Sequence, residues 1–326
     1  MTALHQRVRR TIQRHRLCPP GCRVLVGLSG GSDSVALTVL LRDLSEHGDF
    51  ALVGLAHLNH RLRPTSDRDE DFCRQFGRTV GVPLFVESID VAGYAQAQRL
   101  SVEDAARRVR YEFLHRVAME TSADRVAVGH TRDDQAETFL LKLVRGAGLT
   151  GLAAIYPQRG EIVRPLLDVS RAELRAFLDS RGLEWVDDES NQDIGNPRNR
   201  LRHGILPELE LVYPSASAAI ARTAGLVRED AQWLDEVSRE RYDRLVSRFQ
   251  AGLHIDAAGL LSEPPPIRRR VVLLALRCAF PTREIGLDHV EGALAVAAAE
   301  TGGIDVPGGR VELQREKLVL HVQATA

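Results

Sequence analysis

Between residues 23 and 163 apolar runs alternate with amphipathic stretches. Runs at 24–28, 52–58, 84–89 and 126–128 read as buried strands, and the intervening stretches 34–44, 67–80, 102–120 and 134–145 read as helices. This alternation predicts βαβ crossovers and an α/β fold with a doubly wound, mainly parallel sheet. Ligands of such sheets bind at the carboxyl ends of the strands, so polar segments that directly follow a strand share one edge. A further helix is expected over 170–181, with Ser170 as N-cap and Glu173 at the capping-box position. The pattern breaks near Tyr213-Pro214. Beyond it, one long helix or two with a short join is expected over 215–249. Helices over 267–279, after Pro264-Pro265-Pro266, and over 287–299 come next. The glycines between Gly302 and Gly309 separate short strands that end at 318–322. The second half is therefore mainly helical with a small β element, and two domains are expected, 1–212 and 213–326.

Composition narrows the class. The 326 residues are 44% hydrophobic and 27% charged, as in a soluble globular protein. No apolar run approaches membrane-spanning length. The opening Met1-Thr2-Ala3-Leu4-His5-Gln6-Arg7 has no signal-peptide core, so a cytoplasmic location is expected. Four cysteines (Cys18, Cys22, Cys73 and Cys278) suit a reducing compartment. Cys18 and Cys22, four apart, are at most half a metal site. A formal net charge of −1 means that nucleic acid would be held by local patches only.

Candidate chemistry follows the strands. Val24-Leu25-Val26-Gly27-Leu28 ends in Ser29-Gly30-Gly31-Ser32-Asp33-Ser34, after which a helix begins. Strand, glycine turn and helix N-terminus make an anion pocket, because unpaired N–H groups and the positive end of the helix dipole converge there. Glycine lets the backbone approach a phosphate with no Cβ in the way, and successive N–H groups form a nest. The lysine-bearing phosphate loop is excluded, since Ser32-Asp33 follows Gly31, and the dinucleotide fingerprint has wider glycine spacing. The plain alternative is a tight turn in which Ser32 or Asp33 caps the helix.

After the second strand, His57-Leu58-Asn59-His60-Arg61-Leu62-Arg63 lines a nucleotide site, supplies metal ligands or is a solvated loop. After the fourth comes Gly129-His130-Thr131-Arg132-Asp133-Asp134-Gln135-Ala136-Glu137-Thr138. The i, i+4, i+7 spacing places His130, Asp134 and Glu137 on one helical face. Two carboxylates so placed suit a cationic amine or Mg²⁺, and a solvated first helical turn is the alternative. Arg107 and Arg110, three apart, project together towards a phosphate or lie on a solvated face. Arg145-Gly146-Ala147-Gly148 reads as a helix C-cap and turn, and Arg164-Pro165-Leu166-Leu167 closes the domain. A polar loop over 187–193 precedes Asn196-Pro197, after which Arg198, Arg200 and Arg202 fall within five positions. Such an arginine cluster suits an RNA backbone.

The loop over 29–34 resembles the PP-loop of the N-type ATP pyrophosphatases, which split ATP between its α and β phosphates. With 57–63, 107–111, 129–138, 145–151, 164–167 and 188–207, in that order, the set resembles the tRNA(Ile)-lysidine synthetase family over about residues 20–210. Residues 215–321 match that family's substrate-recognition domain more loosely. The resemblance implies an adenine nucleotide alpha hydrolase-like domain followed by a helical tRNA-recognition domain. Longer members carry one more C-terminal domain, which is expected to be missing here.

The implied reaction is a two-step ligation. ATP adenylates the carbonyl oxygen at carbon 2 of the wobble cytidine in the isoleucine tRNA with a CAU anticodon, and pyrophosphate leaves. The ε-amine of free L-lysine then attacks that carbon and expels AMP, changing codon reading from AUG to AUA. The resemblance implies that Ser29, Gly30, Gly31, Ser32, Asp33 and Ser34 bind ATP and cradle the departing pyrophosphate. Asp33 would meet the phosphates through Mg²⁺. Arg110 would stabilise the α-phosphate, and His130 would line the nucleotide and lysine pocket. Asp33, Arg110 and His130 are thus the expected catalytic residues. Asp134 and Glu137 would hold the lysine ammonium, and an acidic neighbour would take its proton. Arg198, Arg200 and Arg202 would touch the tRNA. A homodimer is admitted; a membrane partner is not.

Three rival readings remain. A PP-loop tRNA thiolase needs reactive cysteines or an iron–sulfur cluster, yet no Cys-x-x-Cys occurs and residues 74–277 contain no cysteine. A PP-loop amidotransferase would need a glutaminase cysteine or domain, which is not visible. The other rival is a non-catalytic, nucleotide-dependent tRNA-binding protein, against which the joint presence of Asp33, Asp134 and Glu137 counts.

Overall fold

The computed structural model of the chain describes residues 1–187, 195–250, 252–299 and 302–322. Most of the expected polar loop and the start of the 188–207 motif, residues 188–194, lie outside the described residues. The chain divides into two compact units, Met1–Arg228 and Glu229–Ala326. The expected break at Tyr213-Pro214 does interrupt the helices, but the division between units falls further on, within a long helix. No helix among the described residues is long and apolar enough to cross a membrane.

The first unit runs α1 (Ala3–Arg14), β1 (Arg23–Gly27), α2 (Ser32–Glu46), β2 (Ala51–Asn59), α3 (Ser66–Val80), β3 (Leu84–Ser88), α4 (Val91–Gln98) and α5 (Val102–Glu120). It continues through β4 (Arg125–Ala127), α6 (Arg132–Val144), α7 (Leu149–Leu152), β5 (Gln158–Arg159), β6 (Ile162–Val163) and α8 (Arg171–Asp179). It ends with α9 (Pro197–Arg200), a π-helical turn (Leu201–Ile205), α10 (Leu206–Val212) and the start of α11 (Ala216–Leu245). The strands are ordered β3-β2-β1-β4-β6-β5. All pairs are parallel except β5 with β6. From β1 the chain steps to β2 on one side and reaches β4 on the other. The crevice at the carboxyl ends of β1 and β4 is therefore the switch point where such sheets bind ligands.

Burial follows from this position. Val24, Leu25 and Val26 of β1 are all at 0% exposure, as expected for a parallel strand covered on both faces. On one face α2 packs with Val8 and Ile12 of α1 and Leu174, Phe177 and Leu178 of α8. On the other, Phe113, Leu114 and Val117 of α5 meet Leu25, Ala56 and Val126. The result is a three-layer sandwich with α2 buried between α1 and α8, so the start of α2 is rigidly held.

The second unit contains the remainder of α11, β7 (Val246–Phe249), β8 (Gly252–Asp256), α12 (Ala257–Ser262), α13 (Pro265–Ala279), α14 (Leu287–Ala298), β9 (Gly303–Val306), β10 (Gly309–Gln314) and β11 (Lys317–Val322). Val271, Ala275 and Leu276 of α13 and Ala293 of α14 pack on Ile255, Val311 and Leu320 of an antiparallel sheet ordered β7-β8-β11-β10-β9. The helix expected to reach residue 249 stops at Leu245. Residues 246–249 instead pair with β8, because hydrogen bonding across the hairpin to Gly252–Asp256 satisfies a segment too polar to continue a buried helix face.

Candidate active site

The loop between β1 and α2 closes on itself. Gly30 adopts φ +88°, a left-handed conformation that favours glycine. Ser34 Oγ donates to the Gly31 carbonyl (2.9 Å) and accepts from Ser29 N (3.1 Å). Gly31 is the N-cap of α2 and supplies no side-chain cap, so neither Ser32 nor Asp33 plays the capping role of the plain-turn alternative. The N–H groups of Ser32 and Asp33 at the start of α2 are thereby left to an anion, whereas that of Ser34 donates to the Gly31 carbonyl (3.1 Å). Gly129, at the end of β4, lies against this loop. A Cβ there would stand 3.1 Å from the Asp33 carbonyl carbon and 3.2 Å from Ser34 N, so any larger residue would press on the loop backbone.

Two clefts open along this edge. One, ≈ 480 Å³, is walled by Leu28, Phe113 and Leu114 with His57, Asn59 and His60. The other, ≈ 690 Å³, is lined by the loop over 29–34, His130, Asp134, Arg171 and Arg202. Arg110 lines both, and burial together with Arg107 presses its pKa down. Arg107 is exposed and stacks on Tyr111, so the two arginines part ways.

The histidines are neutral. Burial, then Arg110, His57 and Arg63, push His60 down to about 4. Burial likewise lowers His57, whose Nδ1–H donates to the Leu28 carbonyl (2.9 Å), leaving the buried Nε2 as an acceptor without a protein partner. Such a group suits a nucleobase donor. Among the described residues no cluster of three His, Cys, Asp or Glu could hold a metal ion.

His130 departs from the expected helical face. α6 begins at Arg132 with Thr131 as N-cap, because Asp134 completes a capping box: its Oδ2 accepts from Thr131 N (2.8 Å) and Thr131 Oγ1 (2.9 Å). His130 therefore precedes the helix and meets Arg164 Nε through Nδ1 (3.3 Å). Burial pushes its pKa down to about 3, with Asp134 opposing and Arg110 and Arg164 assisting. It still lines the same cleft as Asp134.

Asp134 and Glu137 do not form a solvated first turn: both are buried, Glu137 completely. Three guanidiniums meet them. Arg171 Nη2 donates to Asp134 Oδ1 (3.2 Å), as does Arg198 Nη2 (3.1 Å). Arg198 Nε and Arg202 Nη2 donate to Glu137 Oε2 (2.7 and 3.0 Å), and Arg202 Nε donates to Oε1 (2.6 Å). Burial pushes the Asp134 carboxyl up, but Arg171 and Arg198 outweigh it and hold it below its ordinary value. Arg198 and Arg202, expected on the tRNA, thus turn inwards, whereas Arg200 between them is exposed. Arg202 sits on the π-helical turn. Pro207 lacks the N–H a regular turn needs, and the widened turn before it accommodates the ring.

Arg171, which the motifs did not single out, joins the two ends of the cleft. Its Nε donates to Asp33 Oδ2 (3.1 Å) while its Nη2 holds Asp134. Burial raises the Asp33 pKa, Asp134 adds to the rise, and Arg171 opposes it.

A mainly parallel sheet with an anion loop at its switch point, sharing a cleft with the buried Asp134, defines a PP-loop nucleotide-using domain. Residues 2–209 match the family of that description, the PP-loop domain. The chain is 41% identical over 322 residues to the tRNA(Ile)-lysidine synthase of Geobacter sulfurreducens, covering 97% of this chain and 67% of that protein. It is 36% identical over 310 residues to that of Leifsonia xyli, covering 93% and 90%. Against the Thermus thermophilus protein the identity is 43% over 258 residues, with 79% and 49% covered. The chain belongs to the tRNA(Ile)-lysidine synthase family. Its span is about two thirds of the Geobacter relative and about half of the Thermus one. In fold it is similar to the U34-tRNA thiolase NcsA from Methanococcus maripaludis with its [4Fe-4S] cluster, at a TM-score of 0.59 and 21% identity over 69% of this chain and 77% of that one. The cysteine of this chain beside the PP-loop, Cys73, is buried against Gly30, and burial pushes its thiol up to about 12.

Proposed function

We propose that the chain is an ATP-dependent tRNA-modifying ligase that joins L-lysine to carbon 2 of the wobble cytidine in a CAU-anticodon isoleucine tRNA. The observation that carries this reading is the buried carboxylate of Asp134, which lines one cleft with the anion loop and is backed by the fully buried Glu137 through their shared partner Arg198. In the first step the cytidine carbonyl oxygen attacks the α-phosphorus of ATP, and the α–β bridging oxygen leaves with pyrophosphate. The loop N–H groups and Arg110 meet the charge that builds on those phosphates. The cleft of His57 and His60 takes the adenosine, whose amino group can donate to His57 Nε2. In the second step the lysine amine, oriented by Asp134 and Glu137, attacks carbon 2 and AMP departs with the carbonyl oxygen. Holding the ammonium beside carboxylates fixes its approach and gives its proton a destination.

The residues fit Mg²⁺ as a guest of the nucleotide. Mg²⁺ is bound by one or two carboxylates together with phosphate oxygens and water rather than by an all-protein cage. Asp33, in the first turn of α2 and lining the anion cleft, is the carboxylate that would hold it. When bound, the ion neutralises phosphate charge.

Incubation with ATP, radiolabelled lysine and the tRNA tests the reading. Label entering CAU-anticodon isoleucine tRNA, and none entering a CAU methionine tRNA, is the expected result. AMP formation without label in the tRNA would overturn it, and nucleotide and tRNA binding without AMP formation would point to the non-catalytic alternative.

A further inference from the structure

Arg171 is placed where helix electrostatics disfavour a cation. It is the first residue of α8, after the Ser170 N-cap, and helix N-termini favour anions. Its partners also stand at helix starts: Asp33 in the first turn of α2 and Asp134 in the first turn of α6. Its position is over-determined. The backbone N–H of Arg171 donates to Asp133 Oδ2 (2.9 Å), and Ser170 and Glu173 close a capping box around it. Leu174, Phe177 and Leu178 anchor the helix it begins in the core beside α2. Its side chain is 18% exposed, with Nε on Asp33, Nη2 on Asp134 and Nη1 3.8 Å from Glu137 Oε1. A planar fork reaching two carboxylates from separate elements fixes distance and angle between them, which a single ammonium cannot do.

We propose that Arg171 is the positioning residue that sets the phosphate half-site and the amine half-site in register, its guanidinium holding Asp33 and Asp134 at one separation. This rests on the reading of Asp134 and Glu137 as ammonium ligands. The activated cytidine carbon must lie within reach of both half-sites, since the adenylated oxygen formed at one is displaced by the amine held at the other. Without the fork, two carboxylates of like charge share the cleft and relax apart, and both steps lose alignment.

The test uses the full chain with ATP, tRNA and lysine. Two parameters are read: single-turnover pyrophosphate release without lysine, and the KM for lysine in label capture. Arg171→Gln is expected to slow pyrophosphate release and to raise the lysine KM, each about tenfold or more. Arg171→Lys keeps the charge but reaches one carboxylate at a time, so it is expected to restore at most one parameter. The proposal is overturned if Arg171→Gln alters only one parameter or neither, or if Arg171→Lys restores both. Should thermal melts show that Arg171→Gln does not fold, Arg171→Lys decides alone: both parameters at wild-type values refute bridging, and impairment of either supports it. Wild-type protein that releases pyrophosphate yet captures no lysine refutes the ligase reading instead, a result obtained before any variant is made.

Discussion

Glu137→Gln tests the proposed amine-binding role of the buried carboxylate behind Asp134. The amide keeps the size of the side chain and one carbonyl acceptor but removes the charge. Glu137 is at 0% exposure, and its two oxygens take three guanidinium N–H groups at 2.6 to 3.0 Å. A hydrogen bond to a charged group contributes about 1.5–3 kcal/mol, and a neutral one about 1 kcal/mol. Exchanging one for the other at a bound ammonium therefore costs about 0.5–2 kcal/mol, or a rise in lysine KM of about 2–30-fold. The substitution also turns an NH₂ group towards a guanidinium, and an unpaired buried donor costs about 1–3 kcal/mol of fold stability.

These two effects separate in the assay. Lysine capture on tRNA is measured over a range of lysine concentrations, alongside pyrophosphate release without lysine and a thermal melt. Pyrophosphate release should stay within about threefold of wild type, since hydrogen bonding within the PP-loop does not involve Glu137. An unchanged lysine KM with a lowered melting temperature would refute the reasoning, leaving Glu137 as an internal anchor for Arg198 and Arg202.

Because Glu137 is held by Arg198, an incoming ammonium competes with that guanidinium. Arg198→Gln should lower the lysine KM, whereas Arg200→Gln, on the exposed side, should leave it unchanged and weaken tRNA binding with a smaller salt dependence. Lysine titrations and filter binding at several salt concentrations distinguish the two. Gly129→Ala would press a methyl group on the backbone of Asp33 and Ser34, which cannot swing aside as a side chain can. It should cost about 1–3 kcal/mol in chemical denaturation and slow pyrophosphate release, and wild-type behaviour in both would contradict the close approach. His60 is held down to about 4, below the about 6.5 of an unfolded chain, so the unfolded state binds its proton first. Stability should be complete above about pH 6.5 and fall as pH drops towards 4, with a shallower fall in His60→Gln; equal pH slopes in urea denaturation would count against this.

What the chain reveals before folding depends on how far apart cooperating residues lie. The PP-loop is legible because strand, glycines and helix start are contiguous, and the parallel sheet because buried strands and amphipathic helices alternate. The strand β7 was hidden because Val246 to Phe249 continues a helical stretch without a breaker, and only pairing with β8 decides its conformation. The site was half legible. Asp134 and Glu137 could be paired from their spacing, but spacing does not say that Arg198 and Arg202, more than sixty positions on, turn inwards to meet them. Their alternation with Asn199 and Leu201 reads as a solvated basic patch until α6 and α9 are side by side. Arg171 left a fainter trace. Ser170 and Glu173 already mark a helix start, so a cation at the intervening first position stands against the dipole. A residue that breaks a local rule within a well-capped helix has its compensation elsewhere, and here that compensation is two carboxylates from opposite sides of the switch point. Reading caps for misplaced charge, as well as for helix boundaries, would have found it.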